Sequence, residues 1–224
     1  MPKRVDEIYR DTTDRQFGAT EVALGPWTSY SLLHDPRHMA FVLARYKFVA
    51  KMLQGRSRVL EIGVGDGFGL PLVAQAVGQV EAVDWDQRLL DGNRTRLAFL
   101  ENVHYHLLDF NRATPPFTVD AVYWIDVIEH LDPASEAAVL GNIRACLGDD
   151  GVLLTGTPNV TSSVYASPQS AVGHVNLKSH DLLRELMQSH FRNVFMFGMN
   201  DEVVHTGYGP MCHYLWALAV SPRR

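Results

Sequence analysis

The stretch Val59-Leu60-Glu61-Ile62-Gly63-Val64-Gly65-Asp66-Gly67 decides the fold. A short apolar strand runs into a turn with glycine at every second position, and an apolar helical run starting at Leu70 follows. Glycine belongs where the backbone must take unusual angles and let a ligand come close. About twenty residues on, Val80-Glu81-Ala82-Val83 ends in Asp84, where an acid can accept hydrogen bonds from both ribose hydroxyls of a nucleoside. The dinucleotide fingerprint GxGxxG is not met. Counted from Gly63, the third-glycine position holds Phe68, and counted from Gly65 it holds Leu70. Glu61 before the turn and Asp66 within it would repel a pyrophosphate. They suit a ligand with a cationic group and an amino acid end.

Working outward, the period alternates between strand and helix. Upstream, Phe41, Val42, the stem of Arg45, Phe48, Val49 and Met52 recur at helical spacing, which predicts a helix over 38–53 stopped by Gly55. Strands are predicted at 58–62, 79–83, 103–108, 119–125, 151–156, 194–197 and 213–220. Helices are predicted at 70–77, 87–100, 133–147, with Asp132 as cap and Pro133 at the first position, and 179–190, capped by Ser179. This is an α/β fold: a Rossmann-like, seven-stranded, mostly parallel sheet with helices on both faces and an antiparallel last strand. Residues 157–178 read as a long loop of a length that suits a lid or binding loop. Residues 1–37 read as irregular, broken by Gly25-Pro26 and Asp35-Pro36. They form a lid or cap segment ahead of the main domain at 38–224.

Composition narrows the function classes. The chain has 224 residues, 46% hydrophobic and 20% charged, with a net charge of -5. A slightly acidic protein has no field that gathers polyanions, so nucleic acid is not the expected partner. Cys146 and Cys212 form no CxxC pair, which suggests neither a zinc site nor a disulfide framework. With no apolar leader in residues 1–10 and no apolar run of membrane length, the expectation is a cytoplasmic protein without a membrane partner. Nothing in the sequence speaks to the oligomeric state.

The motifs resemble those of class I S-adenosylmethionine (SAM)-dependent methyltransferases. VLEIGVGDG is similar to their first motif, and Asp84 falls where the family keeps its ribose-binding acid. Leu108-Asp109-Phe110 is similar to the segment flanking the adenine, with Asp109 bonding the exocyclic amine. Tyr123-Trp124-Ile125-Asp126-Val127-Ile128-Glu129-His130-Leu131 resembles the fourth motif in the "EHL" style of small-molecule methyltransferases. Gly151-Val152-Leu153-Leu154-Thr155-Gly156-Thr157-Pro158-Asn159 resembles the fifth strand and the loop after it. The resemblance covers about residues 38–220 and implies SAM as cofactor, held by Glu61, Gly63, Gly65, Asp66, Gly67, Asp84, Asp109, Phe110 and Asp126. Trp85 after the ribose acid either stacks on adenine or packs. Arg45, on the helix before the turn, either pairs with the cofactor carboxylate or stays solvated.

The methyl acceptor is less defined. A hydroxyl acceptor needs a general base, and the candidates are His130 after the fourth strand, His174 in the long loop and His205 between the last two strands. The loop residues Thr161, Ser162, Ser163, Tyr165, Ser167, Gln169, His174 and Asn176 offer hydrogen bonds suited to a sugar. The whole sequence also looks like methyltransferases encoded with surface-polysaccharide and natural-product pathways. The expected reaction is therefore O-methylation of a sugar, a nucleotide sugar or another hydroxylated metabolite. N- or carboxyl-methylation, a nicotinamide-dependent dehydrogenase and a non-catalytic SAM-binding partner protein are the alternatives. No (N/D)PP(Y/F) segment follows the fourth strand, which argues against amide or nucleobase-amine methylation in that style. A metal-assisted variant would bring Asp126 and Asn159 together, and with no dense acid cluster in view no metal site is assigned.

Overall fold

Proline opens helices at the N-terminal end that the sequence reading takes for irregular chain. A computed structural model describes residues 4–17 and 21–224, with the side chains of Gln16 and Gln169 outside that set. Helix α1 (Val5–Phe17) is followed by α2 (Pro26–His34) and α3 (Pro36–Met52). Pro26 and Pro36 occupy first-turn positions, where the missing N–H costs nothing and the fixed φ favours the helix. The two X-Pro breakers of 1–37 are thus helix starts, and the segment is largely helical.

The remaining elements are β1 (Arg58–Ile62), α4 (Leu70–Ala74), β2 (Gln79–Asp84), α5 (Gln87–Arg96), β3 (Val103–Leu107), β4 (Val119–Ile125), α6 (Glu136–Cys146), β5 (Leu147–Pro158), α7 (Pro168–Gly173), α8 (His180–His190), β6 (Phe191–Asn200), β7 (Val203–His205) and β8 (Tyr214–Pro222). Two details depart from expectation. Helix α6 begins at Glu136 because residues 132–135 form their own turn, with Asp132 Oδ1 accepting the Ala134 amide and Ser135 Oγ donating to the Asp132 carbonyl. The long 157–178 loop contains a 3-10 turn (Val160–Tyr165) and α7, again opened by a proline behind a serine cap.

The sheet order is β3-β2-β1-β4-β5-β8-β6-β7. Strands β1 to β5 pair in parallel, and β8 runs antiparallel to both β5 and β6. The expected antiparallel ending is present. The strand count is eight rather than seven, because the chain turns tightly at Asp201, which takes φ 49, and pairs Val203–His205 back onto β6. A three-residue strand is too short to show a period of two.

Alternation along the central strands divides the core into two layers. Val59, Val80, Ala82, Ala121 and Tyr123 pack on one side with Tyr46, Val49 and Leu70. Leu60, Ile62, Val83, Val122 and Trp124 pack on the other with Ile143, Leu183 and Met187. Strand order reverses between β1 and β4, so the crevice for a ligand lies beyond the carboxyl ends of these two strands.

Candidate functional site

The glycine turn after β1 has the backbone its composition demands. Gly63, Gly65 and Gly67 all sit at positive φ, at 74°, 56° and 72°, which side chains tolerate poorly. A Cβ on Gly65 would also lie 2.6 Å from the ring of Trp27 on α2. Asp84 braces this turn: its Oδ2 accepts the Gly65 amide and its Oδ1 the Asp86 amide, each at 3.0 Å. Each of its oxygens keeps a lone pair for a further donor. Asp66 binds backwards, accepting the Thr28 amide at 2.8 Å and the Thr28 hydroxyl at 3.0 Å. Glu61 is buried between two tyrosines, with the hydroxyls of Tyr46 and Tyr123 donating to it at 2.7 and 2.8 Å. Burial pushes its carboxyl up to about 7 against those two hydrogen bonds.

Beyond β4 a second group converges. Asp126 takes φ 56, uncommon for a non-glycine residue and worth reading as a site constraint. Its Oδ2 accepts Arg45 Nη1 at 2.5 Å. The Arg45 guanidinium lies 4.0 Å above the Tyr214 ring. Burial works against the arginine charge, and Asp126 outweighs it, holding Arg45 above its ordinary pKa. Glu129 is fully buried, with its Oε2 accepting the Thr157 hydroxyl at 3.0 Å. Burial first, and then the charge of Asp126, push its carboxyl up to about 8. Of the seven buried side-chain N and O atoms without a hydrogen-bond partner among the described residues, four belong to this group: Arg45 Nε, Asp126 Oδ1, Glu129 Oε1 and Tyr214 Oη. Such atoms are rare and costly in native proteins, and their clustering marks a place where polar ligand groups fit.

Two histidines flank the group. His130 and His174 pack edge to face with ring centroids 5.0 Å apart. His130 Nδ1 lies 2.9 Å from the Gly173 carbonyl. A carbonyl only accepts, so Nδ1 carries a proton, and in the neutral imidazole Nε2 keeps a free lone pair. Burial, then the charge of His130, hold His174 below the usual histidine pKa. The two residues meet because Asn176 ties the β5–α8 connection to the turn after β4: its amide donates to the Glu129 carbonyl, and its Nδ2 to the Ile128 carbonyl and Glu136 Oε2.

The methyltransferase domain family matches residues 60–153. Over 143 residues the chain is 31% identical to a probable S-adenosylmethionine-dependent methyltransferase of Mycobacterium tuberculosis, a match covering 63% of this chain and 51% of that protein. Over residues 60–153 the chain is thus similar to a methyltransferase domain, on a fold shared with SAM-dependent methyltransferases. It spans about half the length of this curated relative. Among solved structures, the N-methyltransferase NodS from Bradyrhizobium japonicum in complex with S-adenosyl-l-homocysteine is similar at a TM-score of 0.62 and 16% identity, covering 95% of this chain and 98% of NodS. The methyltransferase domain of bacterial CtHen1-C is similar at a TM-score of 0.67 and 16% identity, covering 82% of this chain and 100% of that domain.

The residues singled out in the sequence scatter unevenly. Arg45 and Asp126 are joined, and His130 and His174 stand together. Trp85 is 74% exposed, so it does not pack. Asp109 is engaged in its own turn, accepting the Asn111 amide and side chain and pairing with Arg112. The Phe110 side chain is only 5% exposed and belongs to the core layer of Trp124. His205 is on β7, four strands from β4, and its Nδ1 accepts the Gly207 amide. No hydrogen bond or ring contact among the described residues links it to the other two histidines. Asn159 does not meet Asp126, because its side chain is committed to the Gly209 and Cys212 carbonyls and the Thr161 amide. The side chain of Gln169 lies outside the described residues.

Sequence reasoning missed Glu129, Tyr214 and His38. Burial and then the charge of Arg45 hold His38 below its ordinary pKa, while Asp126 opposes. His38 and Arg45 are seven apart on α3, hence on one face, and that spacing was the available signal. Tyr214 reaches the group from the last strand and left no local signature.

Proposed function

We propose that this chain binds SAM between the glycine turn and Asp126 and methylates a hydroxyl oxygen of a small polar acceptor, a sugar or nucleotide sugar. The residues fit the cofactor. Asp84 retains acceptor capacity for two ribose hydroxyls, the left-handed glycines keep side chains off the turn, and Arg45 and Asp126 offer partnerless atoms to a carboxylate and an ammonium. The cofactor supplies an activated methyl group on a sulfonium, and the protein's part is binding, orientation and proton removal.

The observation that carries the hydroxyl reading is the His130–His174 pair beside Asp126. A hydroxyl is a poor nucleophile until its proton has somewhere to go. His130 Nε2 faces no internal donor demand once Nδ1–H is given to Gly173, and His174 is biased toward its neutral form. His130 Nε2 and the His174 imidazole are therefore the groups placed to take that proton. Asp126 is tied to Arg45 beside the pair. The polar loop residues Thr161, Ser163 and Tyr165 support a hydroxylated acceptor.

The test begins with isothermal titration of SAM and, separately, NADH. SAM alone should bind. The protein is then incubated with SAM and a panel of nucleotide sugars and free sugars, and products are read by mass for the gain of one methyl group. Methylated amines with no methylated hydroxyl would replace the oxygen reading, and NADH binding without SAM binding would remove the whole assignment.

A further inference from the structure

Glu129, His130 and His174 each offer one metal-ligand atom, and these three atoms lie within 4.8 Å of one another. We propose that they form a binding site for a divalent transition-metal ion that holds the acceptor oxygen, which rests on the hydroxyl reading above. The two imidazoles as proton acceptors are replaced by a metal that lowers the pKa of the hydroxyl it holds. Around a tetrahedral ion with bonds of about 2.0–2.1 Å, ligand atoms stand about 3.3 Å apart. The three groups need draw in by no more than about 1.5 Å, which side-chain rotation supplies.

Three independent features favour a ligand set over a chance cluster. First, Glu129 is fully buried and its Oε1 has no partner, whereas its Oε2 is held by Thr157. A buried carboxylate with one oxygen anchored and the other free is arranged as a ligand is. Second, His130 gives its Nδ1 hydrogen to the Gly173 carbonyl. Metal-binding histidines are oriented in this way: the second-shell bond fixes the tautomer and turns the other lone pair toward the metal. Third, Asp126 is tied to Arg45, so the Arg45 guanidinium is neutralised by a neighbour and does not repel a cation at Glu129. Two imidazoles and one carboxylate select zinc, cobalt, iron or manganese over calcium or magnesium. Three protein ligands also leave at least one coordination position open, as sites that take substrate do. The open position is the place for the acceptor oxygen, beside the crevice assigned to the cofactor.

The test uses the full chain, free of any affinity tag, with Co2+ alone as probe. Cobalt on two nitrogens and an oxygen absorbs in the visible, and the spectrum needs no turnover. The expected result is one Co2+ per chain, with an absorption band displaced by Zn2+. His174→Ala and Glu129→Gln should each weaken binding by at least about a hundredfold, the upper end of what second-shell losses cost. His205→Ala should leave it unchanged. His174 is partly exposed, so its variant keeps the fold, and SAM binding to each variant serves as the check. Cobalt binding that is absent, or equal in wild type and His174→Ala, overturns the metal site. If SAM still binds in that case, the methyltransferase reading stands and the histidines revert to proton acceptors. If cobalt binds as expected and SAM does not, the metal site stands and the cofactor reading fails.

Discussion

Arg45 and Asp126, eighty-one positions apart, are joined by a 2.5 Å ion pair in which the arginine side chain is 13% exposed and the aspartate 34%. Removing the acid strands a charge that is largely out of water. Breaking a fully buried pair costs about 3–5 kcal/mol and an exposed one about 0–1. Asp126→Asn should therefore destabilise the protein by about 2 kcal/mol, read from denaturant midpoints, and Arg45→Met/Asp126→Asn should recover part of it. A single-variant loss below about 0.5 kcal/mol would show that solvent screens the pair.

Asp84 carries two tasks, bracing the glycine turn and serving the cofactor. Asp84→Ala should weaken SAM binding by about a hundredfold or more, since hydrogen bonds to a charged acceptor are each worth about 1.5–3 kcal/mol. Calorimetry checks it. Asp84→Asn keeps the oxygen that takes the Gly65 amide, so it should retain the fold while still losing affinity. Unchanged SAM affinity in both would move the ribose elsewhere.

Trp27 covers the turn from α2, and the helix is tied down by the two bonds from Thr28 to Asp66. The Trp27 ring is largely exposed, so its loss should hardly move the melting temperature. If α2 closes over the cofactor, Trp27→Ala should cost about tenfold in SAM affinity, or about 1.4 kcal/mol. An affinity unchanged within twofold would make α2 a packing element only.

Glu61 sets a pH dependence of stability. Its folded pKa, about 7, lies above the ordinary 4.5, so the native state holds a proton that the unfolded state releases. Its contribution is full below about pH 4.5 and is lost as pH rises to about 7. The total is on the order of 3 kcal/mol. Stability of the wild type should fall across this window more steeply than that of Glu61→Gln, measured by guanidinium unfolding at pH 5, 6, 7 and 8. Glu129 acts in the same direction in both proteins, so the difference isolates Glu61. Parallel curves would place its proton outside this window.

Much of this was legible in the sequence, and what was not has a physical reason. The turn at 59–67 and the alternating periods are local signals, so fold and cofactor class follow from them. Arg45, Asp126, His130 and His174 were each visible, but their pairing depends on where β5–α8 crosses the turn after β4, which Asn176 fixes through bonds spanning forty residues or more. Asp109 and Phe110 are adjacent in the sequence, yet Asp109 stays at the turn while the Phe110 side chain enters the core, a division that only the packing reveals. Pro26 and Pro36 were read as breakers when proline equally begins a helix. Glu129 looked like one more motif residue, and only its burial reveals an oxygen without a partner.

Helices α2 and α7, more than a hundred residues apart in the chain, are anchored at different turns. Helix α2 is held by Asp66, and α7 by the bond from His130 to Gly173. No hydrogen bond among the described residues connects one to the other. If the two helices move with their ligands, neither constrains the other, and SAM and the acceptor should each bind the free protein in the absence of its partner, read by calorimetry.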